Sequence, residues 1–308
     1  MRIFRIAHAF VFTAAFVVAT NIAAHAQAPR PASKPNAGAA PVQFYDAESK
    51  YMFGFLDGAD IGNEGEKAFE YEGTGSFQKR GGHYSAIEHE LAFEHVPTQN
   101  FAYELSAHAL SHSIGGVEGL DDRNSTQFSG LSAKLRYLIV GRGPGSPIGL
   151  TVSAEPEWAR IDDVDGTQTQ AYSSEFRIVA DTELIANRLY AALNLIYEPA
   201  TAKLADSDIW ERSSSGGVGV GLAYRLTPTF TMGAAAEYDR AYDGLLFETF
   251  DGQALFVGPT MQINFSPKVL LAAAFSAQVA GHAIDDSRAL DLTNFERYRA
   301  NLKLEFEF

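Results

Sequence analysis

RYRANLKLEFEF, residues 297–308, is the stretch whose reading decides the fold. Ala300, Leu302, Leu304, Phe306 and Phe308 alternate there with Arg299, Asn301, Lys303, Glu305 and Glu307. Successive side chains leave a β-strand on opposite sides, so this period of two describes a strand with one apolar and one polar face. Working back along the chain, the same alternation recurs. It predicts strands at roughly 66–80, 83–95, 101–113, 127–140, 148–160, 169–181, 188–198, 216–226, 229–240, 253–265, 268–280 and 296–308. The connections fall into two classes. VPTQN, GRGPGSP, DTELIAN, LTPT and FSPK are short, whereas IGGVEGLDDRNST, EPATAKLADSDIWERSSS, AYDGLLFETFDG and HAIDDSRALDLTN are long. They alternate, with the 162–166 link intermediate and the 79–82 link an exception. Short turns at one end and long loops at the other are what a transmembrane barrel carries, and a soluble sandwich has little reason to sort its loops so.

The opposite end of the chain fits an exported protein. Arg2 and Arg5 precede an apolar run from Ala9 to Ala19 and a small-residue Ala24-His25-Ala26 site, which predicts a secretory signal peptide over 1–26. Removing it takes away two arginines and leaves 22 Lys+Arg against 38 Asp+Glu, a formal charge of −16. So acidic a surface repels a phosphate polyanion, and no nucleic-acid partner is expected. The chain has no cysteine, which excludes a disulfide scaffold and thiol chemistry. Residues 27–43 are rich in Pro and Ala and read as a linker. Residues 44–65, FYDAESKYMFGFLDGADIGNEG, mix aromatics, acids and glycines and are expected to plug or cap the barrel formed by residues 66–308.

On these residues the chain resembles Gram-negative outer-membrane β-barrels, porin-like proteins among them. The resemblance implies a single 12-stranded antiparallel barrel with both termini in the periplasm, short periplasmic turns, long extracellular loops and a place in the outer membrane. It further implies that Leu302, Leu304, Phe306 and Phe308 form the signal read by the barrel assembly machinery, and that lipid and lipopolysaccharide surround the wall. The physics agrees, since a backbone in hydrocarbon must satisfy its N–H and C=O groups internally and strands can do so only in a closed barrel. Lipid-facing rows without a charge are expected at Leu131–Ile139, Leu189–Tyr197, Val218–Tyr224 and Val269–Val279, at alternate positions.

The opposite parity should line the lumen. Its expected acids are Glu88, Glu90, Glu104, Glu155, Glu157, Glu175, Glu198 and Glu237, with Glu305 and Glu307; its expected bases are Lys134, Arg136, Arg177, Arg225, Arg299 and Lys303. Gly217, Gly219, Gly221, Ala272 and Ala274 leave room on two walls. The leading expectation is a passive channel for small hydrophilic solutes or ions with a weak cation preference. One alternative is a closed structural or adhesive barrel whose outer loops bind partners; the other is an outer-membrane lipid hydrolase. Five histidines, His83, His89, His95, His108 and His112, cluster in strands 2 and 3, and Glu88 is expected opposite His108. No tight metal spacing such as HExxH occurs, so neither a metal nor a cofactor is expected. His89 falls on the nominal lipid face, which calls for a bulge or a different register. For a hydrolase, the nearest material is Ser111, His112 and Ser113, but chain neighbours point to opposite faces and no catalytic residue is assigned.

Overall fold

The computed structural model describes residues 48–143, 145–204 and 208–308. The signal peptide and linker expected over 1–43 lie outside the described residues, as do residues 44–47 of the segment that follows. Twelve strands form: β1 (Lys67–Phe77), β2 (His83–Thr98), β3 (Phe101–Gly115), β4 (Arg123–Val140), β5 (Ile148–Ile161), β6 (Gln168–Ile185), β7 (Leu189–Leu204), β8 (Glu211–Arg225), β9 (Phe230–Asp243), β10 (Thr249–Ser266), β11 (Val269–Ala283) and β12 (Tyr298–Glu307). Each pairs antiparallel with its sequence neighbour, and β1 closes on β12 from Ala68↔Glu307 to Phe77↔Tyr298. No edge is left, as a spanning sheet requires.

The 297–308 stretch does what its alternation dictates. Leu302, Phe306 and Phe308 are 45%, 47% and 60% exposed on the outer wall, while Asn301 and Glu305 are buried inside. Phe308 stacks on Phe69 at 5.4 Å and approaches Phe93 at 6.5 Å, so aromatics from three strands gather at the lower end, which carries the C-terminus and the shorter links. The outward rows expected on β4, β7, β8 and β11 are in place, with Leu131, Leu135, Leu193, Leu195, Val218, Val220, Leu222 and Phe275 all exposed.

Three local expectations change. The β1–β2 connection is not a two-residue turn at Gly81-Gly82. Strand β1 ends at Phe77, the link spans 78–82, and Phe77 pairs with Ser85, so odd positions face odd and Phe69 and Tyr71 point outward together. Glu88 pairs with Leu110 and not with His108; it is Glu90 that stands opposite His108. The ladder slips by one residue between His95 and Thr98, and the register above it lies two residues from the expected one. Finally, much of what reads as long loop is strand. β7 runs on to Leu204, β8 begins at Glu211 and β10 at Thr249. Above the membrane both faces of a ladder can be wet, so pairing continues after the apolar alternation that reveals it in sequence has stopped.

Residues 48–62 lie among the inward side chains. Met52, Phe53 and Leu56 are at most 1% exposed and cluster with Tyr190, Ala192 and Ala223. Ile61 packs against Val96 and Ala102 at the lower end. The glycines of β8 admit them: a Cβ on Gly221 would stand 2.8 Å from the Phe53 ring, and one on Gly219 would collide with Leu56. At the upper end the β11–β12 link also turns inward, burying Asp291, Leu292 and Phe295, the last against Phe256 at 6.3 Å. Gln278 fixes it by donating to the carbonyls of Asp291 and Glu296 at 2.9 and 3.0 Å. The β9–β10 link goes the other way. Phe247 packs on the outward ring of Tyr197 at 5.0 Å, and Leu246 is 75% exposed.

Candidate functional site

The lumen divides by what its charges meet. In the lower half, Lys50 of the inserted segment places its Nζ 2.6 Å from Glu94, 3.2 Å from Glu70 and 3.3 Å from Glu305, carboxylates from β2, β1 and β12. The Glu70 carboxylate also accepts from the Tyr51 hydroxyl at 2.6 Å. Arg136 bridges Glu94 and Glu104 at 2.9 Å each, and Lys303 reaches Glu72 at 2.7 Å. Lys50, Arg136 and the four glutamates they meet, Glu70, Glu94, Glu104 and Glu305, are almost fully withdrawn from water, where only tight mutual pairing repays desolvation.

Higher up, the same segment presents a carboxylate. Asp57 lies 3.5 Å from Lys134 and 3.4 Å from Arg177, whose guanidinium is also held by a two-point contact with Glu175 at 2.9 Å. Asn194 clamps the backbone of Asp57 from both sides, accepting from its N–H and donating to its carbonyl at 2.9 Å. Asp60 meets Arg142 at 3.2 Å, and Asp181 meets the same arginine at 2.8 Å. Asp57 and Asp60 therefore serve different arginines, and the acids of 57–66 do not converge as a calcium loop would. A polar cavity of about 110 Å³ sits on this floor, lined by Asp57, Glu72, Thr74, Lys134, Arg177, Asn301 and Lys303.

The upper half is different. Glu88 reaches His108 Nδ1 at 3.0 Å by a diagonal contact across the ladder, and Glu90 accepts from Ser106 at 2.5 Å. Glu155 lies 3.6 Å from Lys134 and accepts from Ser132. Glu157 and Glu198 make no ion pair among the described residues. Glu237 shares Arg299 with Asp239 at 2.9 Å each, below the inturned β11–β12 link. Arg225 is buried at the foot of β8, where it donates to the Pro228 carbonyl at 3.2 Å, so it braces the lower turn and stands apart from the other bases. At the rim, Lys79 donates to the carbonyls of Thr293 and Phe295, and the β5–β6 link is tied down by Tyr84 to Val164 and His112 to Asp163. Within that link, burial and the neighbouring charge of Asp163 push the Asp162 carboxyl up to about 6.

Sequence reading missed Lys50, Asp57, Glu70, Glu94 and Asp181 as lumen partners. Glu70 and Glu94 share the parity of the acids that it did select, and the uncertain β1–β2 register hid them. The partners on 48–62 belong to no strand and have no parity to follow. His112 faces inward, away from Ser111, whereas His89 lies outward after all, its Nε2 3.2 Å from Ser111 Oγ.

Residues 45–308 match a family model described as a family of unknown function (DUF6662). No curated protein matches the chain by sequence. Among solved structures, the COG4313 outer membrane channel from Pseudomonas putida F1 superimposes with a TM-score of 0.54 at 13% identity, covering 81% of this chain and 98% of that one. The translocator domain of the autotransporter NalP from Neisseria meningitidis gives 0.48 at 11% identity over 81% and 91%. The NanC porin gives 0.45 at 9% over 78% and 100%. At these identities the likeness is one of fold, that of the outer-membrane β-barrel.

Proposed function

The chain belongs to the DUF6662 family of unknown function, and we propose that it is an outer-membrane channel for small hydrophilic solutes or ions, weakly cation-preferring, with residues 48–62 acting as a plug in its lower half. The observation that carries this reading is how the segment is held. Its contacts with the wall are largely polar: ion pairs of Lys50 with Glu70, Glu94 and Glu305 and of Asp57 with Lys134 and Arg177, and hydrogen bonds from Asn194, Thr151 and Thr260 to its backbone. Charges separated in a wet lumen regain hydration, so such a plug can leave at far lower cost than a continuous apolar core. Two small apolar patches, Met52, Phe53 and Leu56 in one and Ile61 in the other, oppose its departure. The fold neighbour described as an outer membrane channel supports the same class of activity. Once vacated, the wall carries more carboxylates than cations, which favours cations in transit. Lipid and lipopolysaccharide around the wall, and assembly through the 302–308 signal, complete the proposal.

The test is current across a planar bilayer under a salt gradient, for the mature chain and for a variant lacking residues 27–65. Discrete, cation-preferring steps from the deletion, at least about tenfold above the parent in mean current, are the expected result. Silence from both, with folding verified by heat-modifiable gel mobility, sinks the channel. That outcome would favour a closed structural or adhesive barrel, for which the inturned β11–β12 link is the structural argument.

A further inference from the structure

Polar side chains on a lipid-facing wall are costly unless they have work or partners there. One group on the outer wall spans four strands. Tyr71 of β1 places its hydroxyl 2.9 Å from His89 Nδ1 on β2; His89 Nε2 is 3.2 Å from Ser111 Oγ on β3; and Ser111 Oγ is 3.0 Å from Thr126 Oγ1 on β4. Thr126 faces outward because of a bulge. The β3–β4 ladder passes from His108↔Gly130 to Ala109↔Phe128, so the extra residue Ser129 reverses the parity of β4 above it. Without that insertion Thr126 would point into the lumen. The ladder partners of His89 are Gly73 and Ala109, so neither residue directly opposite covers the imidazole, and the Tyr71 ring stacks beside it at 6.3 Å.

Height matters as much as geometry. Ser111 is eight residues above Tyr103 on β3, and Tyr103 packs with Phe101 and His95 in the lower aromatic belt. At about 3.3 Å per residue and a strand tilt of about 40°, that places Ser111 ~20 Å up a wall whose apolar band is about 25 Å tall. Its level is the upper margin of the hydrocarbon, where the acyl esters of outer-leaflet lipid lie. Phe128, 46% exposed, stands just below Thr126 on β4, towards the wall's centre, and marks the apolar side of the same patch.

We propose that Ser111, His89 and Thr126 form a lipid-facing acyl-ester hydrolase site, independent of the lumen, with Tyr71 as a positioning residue. With the Nδ1 proton donated to the Tyr71 oxygen, His89 Nε2 is free to accept from Ser111. As Ser111 Oγ bonds to the ester carbon, its proton passes to Nε2; the C–O bond to the lipid alcohol breaks and that alcohol leaves with the proton. Interfacial water then attacks the acyl-serine, His89 takes and returns a proton, and the fatty acid departs. Backbone N–H groups of a closed barrel are committed to the ladder, so Thr126 is the oxyanion donor that these strands provide. One donor fewer costs about 10²–10³ in rate, and turnover is accordingly slow.

The test uses the refolded mature chain in vesicles of phosphatidylethanolamine and, separately, of lipopolysaccharide with phospholipid. Fatty acid release is measured together with mass-spectrometric detection of a fluorophosphonate adduct. The expected result is an adduct on Ser111 and slow release from one vesicle type, which identifies the lipid. Both are abolished by Ser111→Ala and reduced about 10²-fold or more by His89→Gln. Tyr71→Phe should lower kcat at unchanged KM. Heat-modifiable mobility shows that each variant is folded. Absence of Ser111-dependent release from both vesicle types, or release indifferent to His89, overturns the proposal. Bilayer conductance reports only on the lumen, so failure here and failure of the channel reading are told apart.

Discussion

The lower and upper halves of the lumen are built from the same strands with the same inward parity, yet they hold their charges differently. Below, Glu70, Glu94, Glu104 and Glu305 each meet Lys50, Arg136 or both at 3.3 Å or less, in a volume from which water is almost excluded. Above, Glu157 and Glu198 line the wall without an ion pair among the described residues, and Glu88 leans on a histidine. The contrast teaches that a wall of 12 strands is too wide for its own side chains to close. Only where a second layer of chain enters does the interior become a packed, charge-matched solid.

The sharpest way to break that contrast is to remove the ammonium from the lower cage. Lys50→Met leaves Glu70, Glu94 and Glu305 facing one another, and breaking a buried pair in this way costs about 3–5 kcal/mol. Bursts of opening in bilayer recordings from the otherwise intact chain are expected, and an open probability equal to that of the parent would mean that the cage does not hold the segment. A smaller effect follows from refilling the wall. Gly221→Leu drives a side chain into Phe53, and overpacking of this kind costs about 1–3 kcal/mol. It should raise open probability less than Lys50→Met does, and protease cleavage within 48–62 should become faster.

The upper half is expected to respond in selectivity alone. Glu88→Gln, Glu157→Gln and Glu198→Gln combined, in the variant lacking 27–65, should lower the cation-to-anion permeability ratio by roughly two- to threefold without changing conductance greatly. An unchanged reversal potential would take these acids out of the path. The smallest effect is on pH. The Asp162 carboxyl is raised to about 6 in the folded rim from an ordinary value of 3.8, so its ionisation opposes the folded link. The stability that it confers is complete below the ordinary value and is lost as pH climbs through 6. Amides of 162–167 should be better protected from hydrogen exchange at pH 5 than at pH 7.5, after correction for intrinsic rates, and Asp162→Asn should flatten the difference.

How much of this was legible varies with the element. The β12 alternation, the charge-free outer rows and the sorting of links are properties of single strands, and each was readable because a strand in lipid must alternate. The Glu88–His108 pair was anticipated from a register two residues away from the real one, and the long side chain of glutamate reached across the difference. The outward position of His89 looked like an error of register in sequence. It is a real feature, made intelligible only once β1, β3 and the bulge at Ser129 bring Tyr71, Ser111 and Thr126 beside it.

Sequence by itself determined the barrel, its strand number and the lipid-facing rows of β7, β8, β11 and lower β4, because alternation is local and the penalty for an unpaired backbone in hydrocarbon admits one solution. Tertiary structure alone decided which charges pair. Lys50 finds Glu305 across 255 residues, and Asp57 finds Arg177 from a segment with no strand periodicity. Coulomb attraction in a dry interior acts on distance in space, and nothing in chain order encodes that distance.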